Sequence, residues 1–206
     1  MNAQEAQNIK WSENIIIVDG DYIDHVAFDL IVNFERMLNR RIPTADFSQW
    51  AVNIALDGRL KPGNHETQVV LLHDKQNPKL ENFAPADYVK ELNGQAFKDP
   101  QLGEFIINAI ATDDEVAEKD NVLLDLLKTV LSHEEVKRIM LVPNAEDSHL
   151  ISTLRSTLRD ADDELKHITL FAMQPLEGGN FKQQILGYSL LNAMGISSSE
   201  IEQKIK

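Results

Sequence analysis

A chain of 206 residues, 43% apolar and 26% charged, has the size and balance of a folded α/β-sized core rather than of a disordered or fibrous segment. It contains no cysteine, which excludes disulfides, thiolate nucleophiles and cysteine-based zinc sites. A net charge of −13 opposes long-range attraction to nucleic acid or anionic membranes. No apolar run approaches the ~18 residues of a membrane helix, and the opening residues lack a basic-then-apolar secretory pattern, so a cytoplasmic protein is expected.

The first element is the apolar, β-branched run Asn14 to Asp19, which suits a strand covered on both faces. Asp24 can cap a helix reaching about Arg40, with Val26, Ala27, Leu30, Ile31, Phe34, Met37 and Leu38 at helical spacing. Pro43 ends that segment. A second helix runs from about Asp46 to Gly58 and turns Phe47, Trp50, Ala51, Ile54 and Ala55 inward. Their shared stripe makes Trp50 and Phe47 core residues rather than a base-stacking platform; Trp11, ahead of the first strand, stays open.

After the turn at 62–65, residues 67–74 form a second buried strand. A short helix is expected from Pro85 to Leu92, stopped by Gly94, and 103–113 fits either a helix or a strand. From Asp120 a helix buries Leu123, Leu126, Leu127, Val130 and Leu131. Residues 137–144 form a third strand, 147–160 a helix, 167–173 a fourth strand and 181–194 a helix. Ser197 and Glu200 make a capping box for a short terminal helix. Strands alternating with helices predict an α/β fold of three layers: a Rossmann-like, mostly parallel sheet, helices on both faces, one domain over 1–206.

Ligands in such sheets gather at the carboxyl ends of the strands, where strand order reverses. That rim collects Asp19 and Asp21, His73 and Asp74, and Asn144, Glu146 and Asp147. Magnesium and manganese favour carboxylate oxygen, so Asp19, Asp21, Asp74, Asp125, Glu146 and Asp147 are candidate ligands. His25, His73 and His149 lack the i, i+4 pairing of a hydrolytic zinc helix, and Ser148 lacks the glycines of a nucleophile elbow. No G-x-G-x-x-G and no P-loop is present.

The order of elements resembles the PIN-like nuclease domains, especially the NYN branch, over roughly residues 14–173. The first strand of that family ends in Asp-Gly-x-Asn; here Asp19, Gly20 and Asp21 are followed by Tyr22 where Asn is expected. Asp125 in "NVLLDLLKTVL" stands for the family's helical Asp, and Asp147 for its later one. Pro143, Asn144 and Ala145 replace the Ser, Gly and first Asp of that later motif. The resemblance implies a magnesium- or manganese-dependent ribonuclease or RNA-binding protein, with Asp19, Asp125 and Asp147 catalytic and Asp19, Asp21 and Asp147 on the metal. Five basic residues against two acidic ones between Arg36 and Asn64 supply the one basic region, so Arg40, Arg41, Arg59 and Lys61 are expected beside the rim. Residues Asp113 to Glu164, by contrast, carry fourteen acidic and six basic side chains.

Two other functions are open. The damaged motifs and the broad apolar side of 181–194 (Ile185, Leu186, Tyr188, Leu190, Leu191, Met194) suit a non-catalytic protein acting through a homodimer or a protein partner. Asp19-Gly20-Asp21 also resembles the first motif of haloacid-dehalogenase-type phosphatases, where the first Asp attacks and the second is the acid. Tyr22-Ile23 and a second strand ending in His73-Asp74, without Ser or Thr, depart from that pattern.

Overall fold

The computed structural model describes residues 10–113, 116–161 and 164–205. All six residues of β1 (Asn14–Asp19) are buried, as its uninterrupted apolar run requires. On one side it pairs in parallel with β3 (His65–Asp74), which pairs with β6 (Gly103–Thr112). On the other it pairs in parallel with β7 (Arg138–Val142), followed outward by β8 (His167–Ala172) and β9 (Lys182–Ile185). An antiparallel edge strand, β5 (Ala96–Asp99), completes a seven-stranded sheet of order β5-β6-β3-β1-β7-β8-β9. Two short strands, β2 (Ala45–Asp46) and β4 (Phe83–Ala84), form a separate parallel pair.

Successive side chains of β1 point to opposite faces and seed two cores. Ile16 and Val18 pack with α1 (Gly20–Leu38), α2 (Phe47–Asp57) and α5 (Leu186–Ala193), around the fully buried Trp50 and Phe47. Ile15 and Ile17 pack with α3 (Val116–Ser132) and α4 (Ser148–Leu158), and this core also takes in Trp11. A terminal helix, α6 (Ser198–Ile205), is tied to the end of α1 by Arg40, whose Nε donates to Glu200 Oε1 at 2.6 Å. Glu200 N–H in turn donates to Ser197 Oγ at 3.3 Å.

Several boundaries differ from the sequence expectation, each for a local reason. Helix α1 starts at Gly20, not Asp24, because Asp19 is itself the cap: its Oδ1 accepts from Tyr22 N–H at 3.0 Å. Residues 103–112 are strand; inward and outward positions alternate along most of β6, and ten residues pair in register with β3. The short helix expected over 85–92 is a single wide turn, Tyr88–Leu92, capped by Asp87. The segment 181–194 divides: residues 182–185 join β8 as an edge strand, and α5 begins only at Leu186.

This topology sets the site. From β1 the chain passes through α1 on one face and on to β3; from β7 it passes through α4 on the other face and on to β8. Strand order therefore reverses between β1 and β7, and a crevice is expected at their carboxyl ends.

Candidate functional site

Asp19, the last residue of β1, is 3% exposed and lies at that crevice. Across it stands Lys119, on the first turns of α3 and 9% exposed. The Lys119 ammonium reaches Asp19 Oδ1 at 2.8 Å and Asp21 Oδ2 at 2.7 Å, so one cation bridges two carboxylates separated by a single residue. Asp21 is held further by Asp74 N–H, donating to Oδ2 at 2.8 Å, and by Asn77 Nδ2, donating to Oδ1 at 3.0 Å. Gly20 lets the neighbouring wall close in: a Cβ there would lie 2.3 Å from Tyr88 Oη and 3.1 Å from Leu72 O. The ring of Tyr88 stacks on His73 at 3.8 Å between centroids.

The electrostatics follow burial and this lysine. Desolvation is the largest influence on Asp19 and raises its pKa against the pull of Lys119 and the Tyr22 N–H. Desolvation would also raise Asp21, but hydrogen bonds from Lys119, Asn77 and the Asp74 N–H outweigh it, and its pKa lies below the usual carboxylate value. Desolvation would lower Lys119; the charges and hydrogen bonds of Asp19 and Asp21 outweigh that and hold it protonated above its ordinary range. Tyr22 is pushed up to about 12 by burial and then by Glu146 and Asp19. Its hydroxyl is buried without a partner. Asp120 is raised by burial and then by the charges of Asp147 and Asp19.

The residues singled out from sequence separate into two groups. Asp19, Asp21 and Asp147 flank the crevice, with Asp147 as the N-cap of α4, accepting from His149 N–H at 2.8 Å and Leu150 N–H at 3.1 Å. Glu146 is exposed in the same turn. Asp74 joins through its backbone, while its carboxylate accepts from Gln76 N–H at 2.8 Å. Asp125 stands outside: its side chain is 79% exposed and sits 3.4 Å from Lys128. His25 pairs with Asp29 at 3.5 Å on the outer surface of α1, His149 is exposed, and His73 is buried against Tyr88. Ser148 simply opens α4.

Lys119 and Asp120 are the residues that the motif comparison missed. A signal was present. Stepping back three or four residues along the inward stripe Leu123, Leu127, Val130 leads to Lys119 and Asp120, whereas Asp125 falls between its positions. Lys119 is also the sole basic residue between Asp113 and Lys128.

The basic residues expected beside this rim lie elsewhere. Arg40 and Arg41 follow the far end of α1, about 28 Å of helix from Asp19, and pair with Glu200 and Glu35. Arg59 and Lys61 line a cleft with Arg138 and His167, the first residues of β7 and β8, at the opposite edge of the sheet. Nor does the acidic pair fit a divalent cation as arranged, because the Lys119 ammonium fills the position between Asp19 and Asp21. Among the described residues no three His, Asp or Glu side chains converge as a metal cage.

Fold and crevice together define a mostly parallel α/β protein with helices on both faces of its sheet and an ion-paired acidic site at the strand-order reversal. The chain belongs to a family of unknown function, DUF6621, which it matches over residues 8–201. No curated protein and no solved structure matches it. No helix among the described residues is long and apolar enough to cross a membrane.

Proposed function

We propose that this chain is a PIN/NYN-like α/β protein that does not cut RNA and acts by binding a ligand. The observation that carries this reading is Lys119, held at 2.8 Å and 2.7 Å by Asp19 and Asp21 where a magnesium or manganese ion would have to sit. A lysine neutralises carboxylates but cannot bind a water as a ligand and lower its pKa, as a divalent cation does. A strand-end acid cluster and a central β1 support the fold resemblance, and Asp120, which feels the charges of Asp147 and Asp19, would stand for the family's helical Asp in place of Asp125. The basic residues lie away from this crevice, so its field repels an RNA backbone. The apolar side expected to meet a homodimer or protein partner is largely turned inward at α5, where Leu186 and Leu190 face the core and Tyr188 stands 71% exposed.

The test is incubation of the full chain with a single-stranded RNA oligonucleotide in millimolar magnesium or manganese. The RNA stays intact on this reading; cleavage by the wild type that disappears in Asp19→Asn would overturn it.

The Asp-x-Asp pair of Asp19 and Asp21 also carries a second reading, the haloacid-dehalogenase-type phosphatase, in which Asp19 would attack phosphorus and Asp21 would move the proton. Asp19 is 3% exposed and both oxygens of Asp21 are engaged, so neither role is open in this arrangement. Turnover of an aryl phosphate that is lost in Asp19→Asn would restore that reading.

A further inference from the structure

The opposite edge of the sheet has the reverse electrical character. Arg138, His167 and Lys182, the first residues of β7, β8 and β9, meet the turn after α2 around a cleft of about 580 Å³. Arg59, Lys61 and Lys166 complete its basic lining, and among the described residues none that lines it is Asp or Glu. In a chain of net charge −13 that is a local inversion of sign. In the adjoining recess Glu13 and Glu164 stand near Lys137 and Arg138.

Two details set two of these cations apart, one in its backbone and one in its side-chain contacts. Arg59 has φ 65°, a left-handed conformation that L side chains disfavour and that helix ends usually assign to glycine. The available glycine cannot serve, because Gly58 is needed one residue earlier: a Cβ there would lie 2.6 Å from Met140 Sδ. An arginine kept in this conformation points to a use for its side chain. Arg138 is the second detail. Its Nη1 donates to Gly58 O at 2.5 Å, while its Nε is buried without a partner. Burial lowers the Arg138 pKa, Glu13 offsets part of that, and the charge of Arg59 lowers it further, so the Arg59 cation is felt at Arg138.

Lys166 donates to Val136 O at 2.6 Å and to His133 O, which fixes its charge on the cleft wall. Arg59, Lys61 and Lys182 have no carboxylate within 4.0 Å among the described residues. Arginine forks match phosphate oxygens in geometry, and lysines add compact charge. The volume is that of a small-molecule site, roughly 300–1,000 Å³, and too small for a folded partner.

We propose that this cleft binds a small polyphosphate: two or more linked phosphates, either free or carried on a nucleoside. The inference rests on the binding reading above only in supplying its ligand. Its test does not involve Lys119, so failure here and failure at the acidic crevice are distinguishable.

The experiment is calorimetric titration of the full chain with inorganic triphosphate at low salt, with adenosine triphosphate in a parallel arm. Saturable binding that weakens as salt rises is expected. Arg59→Gly and Lys182→Glu should each weaken it about ten-fold, the worth of one charge-assisted hydrogen bond. Arg59→Gly should at the same time raise the melting temperature, since glycine accepts the left-handed turn without strain. Affinity and stability moving in opposite directions is a result that a purely structural arginine would not produce. Tighter binding of the nucleotide than of triphosphate assigns a nucleoside-borne ligand; equal or weaker binding assigns a free phosphate chain. Absence of binding in both arms at millimolar ligand, or wild-type affinity in both variants, overturns the proposal.

Discussion

Replacing Lys119 by methionine keeps most of the side-chain volume and removes the charge. Two carboxylates then face each other with no cation: the Asp19 side chain is 4% exposed and that of Asp21 21%, while Lys119 itself is 11% exposed. Removing one partner of a buried ion pair costs about 3–5 kcal/mol, because the remaining charge is left uncompensated. Asp21 is partly solvated, so the lower end, about 3 kcal/mol, applies here. For a chain of this size that is a fall in melting temperature of roughly 6–12 °C.

The decisive comparison is a double-mutant cycle with Asp19→Asn, read by urea denaturation. Asparagine removes one of the stranded charges, so Lys119→Met together with Asp19→Asn should cost less than the sum of the single changes, by about 1–3 kcal/mol. Strict additivity, or a Lys119→Met variant within about 0.5 kcal/mol of wild type, would refute the claim that this lysine is the internal counter-ion.

Other consequences are smaller. The Lys119 pKa is raised in the folded state, so its contribution is complete below the unfolded value of about 10.4 and is lost as pH rises through the folded one. Denaturation curves above about pH 10.4 should show that loss in wild type and a smaller one in Lys119→Met. The Asp21 pKa is lowered, so its contribution is present above about pH 3.9 and falls away as acid is added below that; Asp21→Asn should flatten that limb. Gly20→Ala forces a methyl to 2.3 Å from Tyr88 Oη and should cost about 1–3 kcal/mol, part of it recovered in combination with Tyr88→Phe. Asp147→Ala removes the two N-cap hydrogen bonds of α4 and should lower stability by about 1 kcal/mol in thermal melts.

The central strand and its terminal Asp19 were legible because a continuous β-branched run has few alternatives to a buried parallel strand. The helix pairs on each face followed from apolar stripes such as Phe47, Trp50 and Ile54. Three things were less visible. Asp125 matched a motif by its flanking leucines, but those leucines face inward and leave it outward beside Lys128, while the inward stripe runs back to Lys119 and Asp120. Strand β9, Lys182-Gln183-Gln184-Ile185, has little intrinsic strand character and takes its shape from pairing with β8 at the sheet edge. The basic cleft is assembled from 58–61, 138, 166–169 and 179–182, residues that no local pattern joins. Parallel register brings them to one edge.

The most direct test of the account is the melting temperature of the wild type and of Lys119→Ala, each with and without millimolar magnesium or manganese. A cation that binds only the folded state raises stability by mass action, about 2.7 kcal/mol at a hundred times its dissociation constant. With Lys119 as the resident cation, the wild type should not shift, and the alanine variant, its two aspartates freed, should be stabilised by the metal. A clear upward shift in the wild type that Asp19→Asn abolishes would contradict the account and return the crevice to metal chemistry.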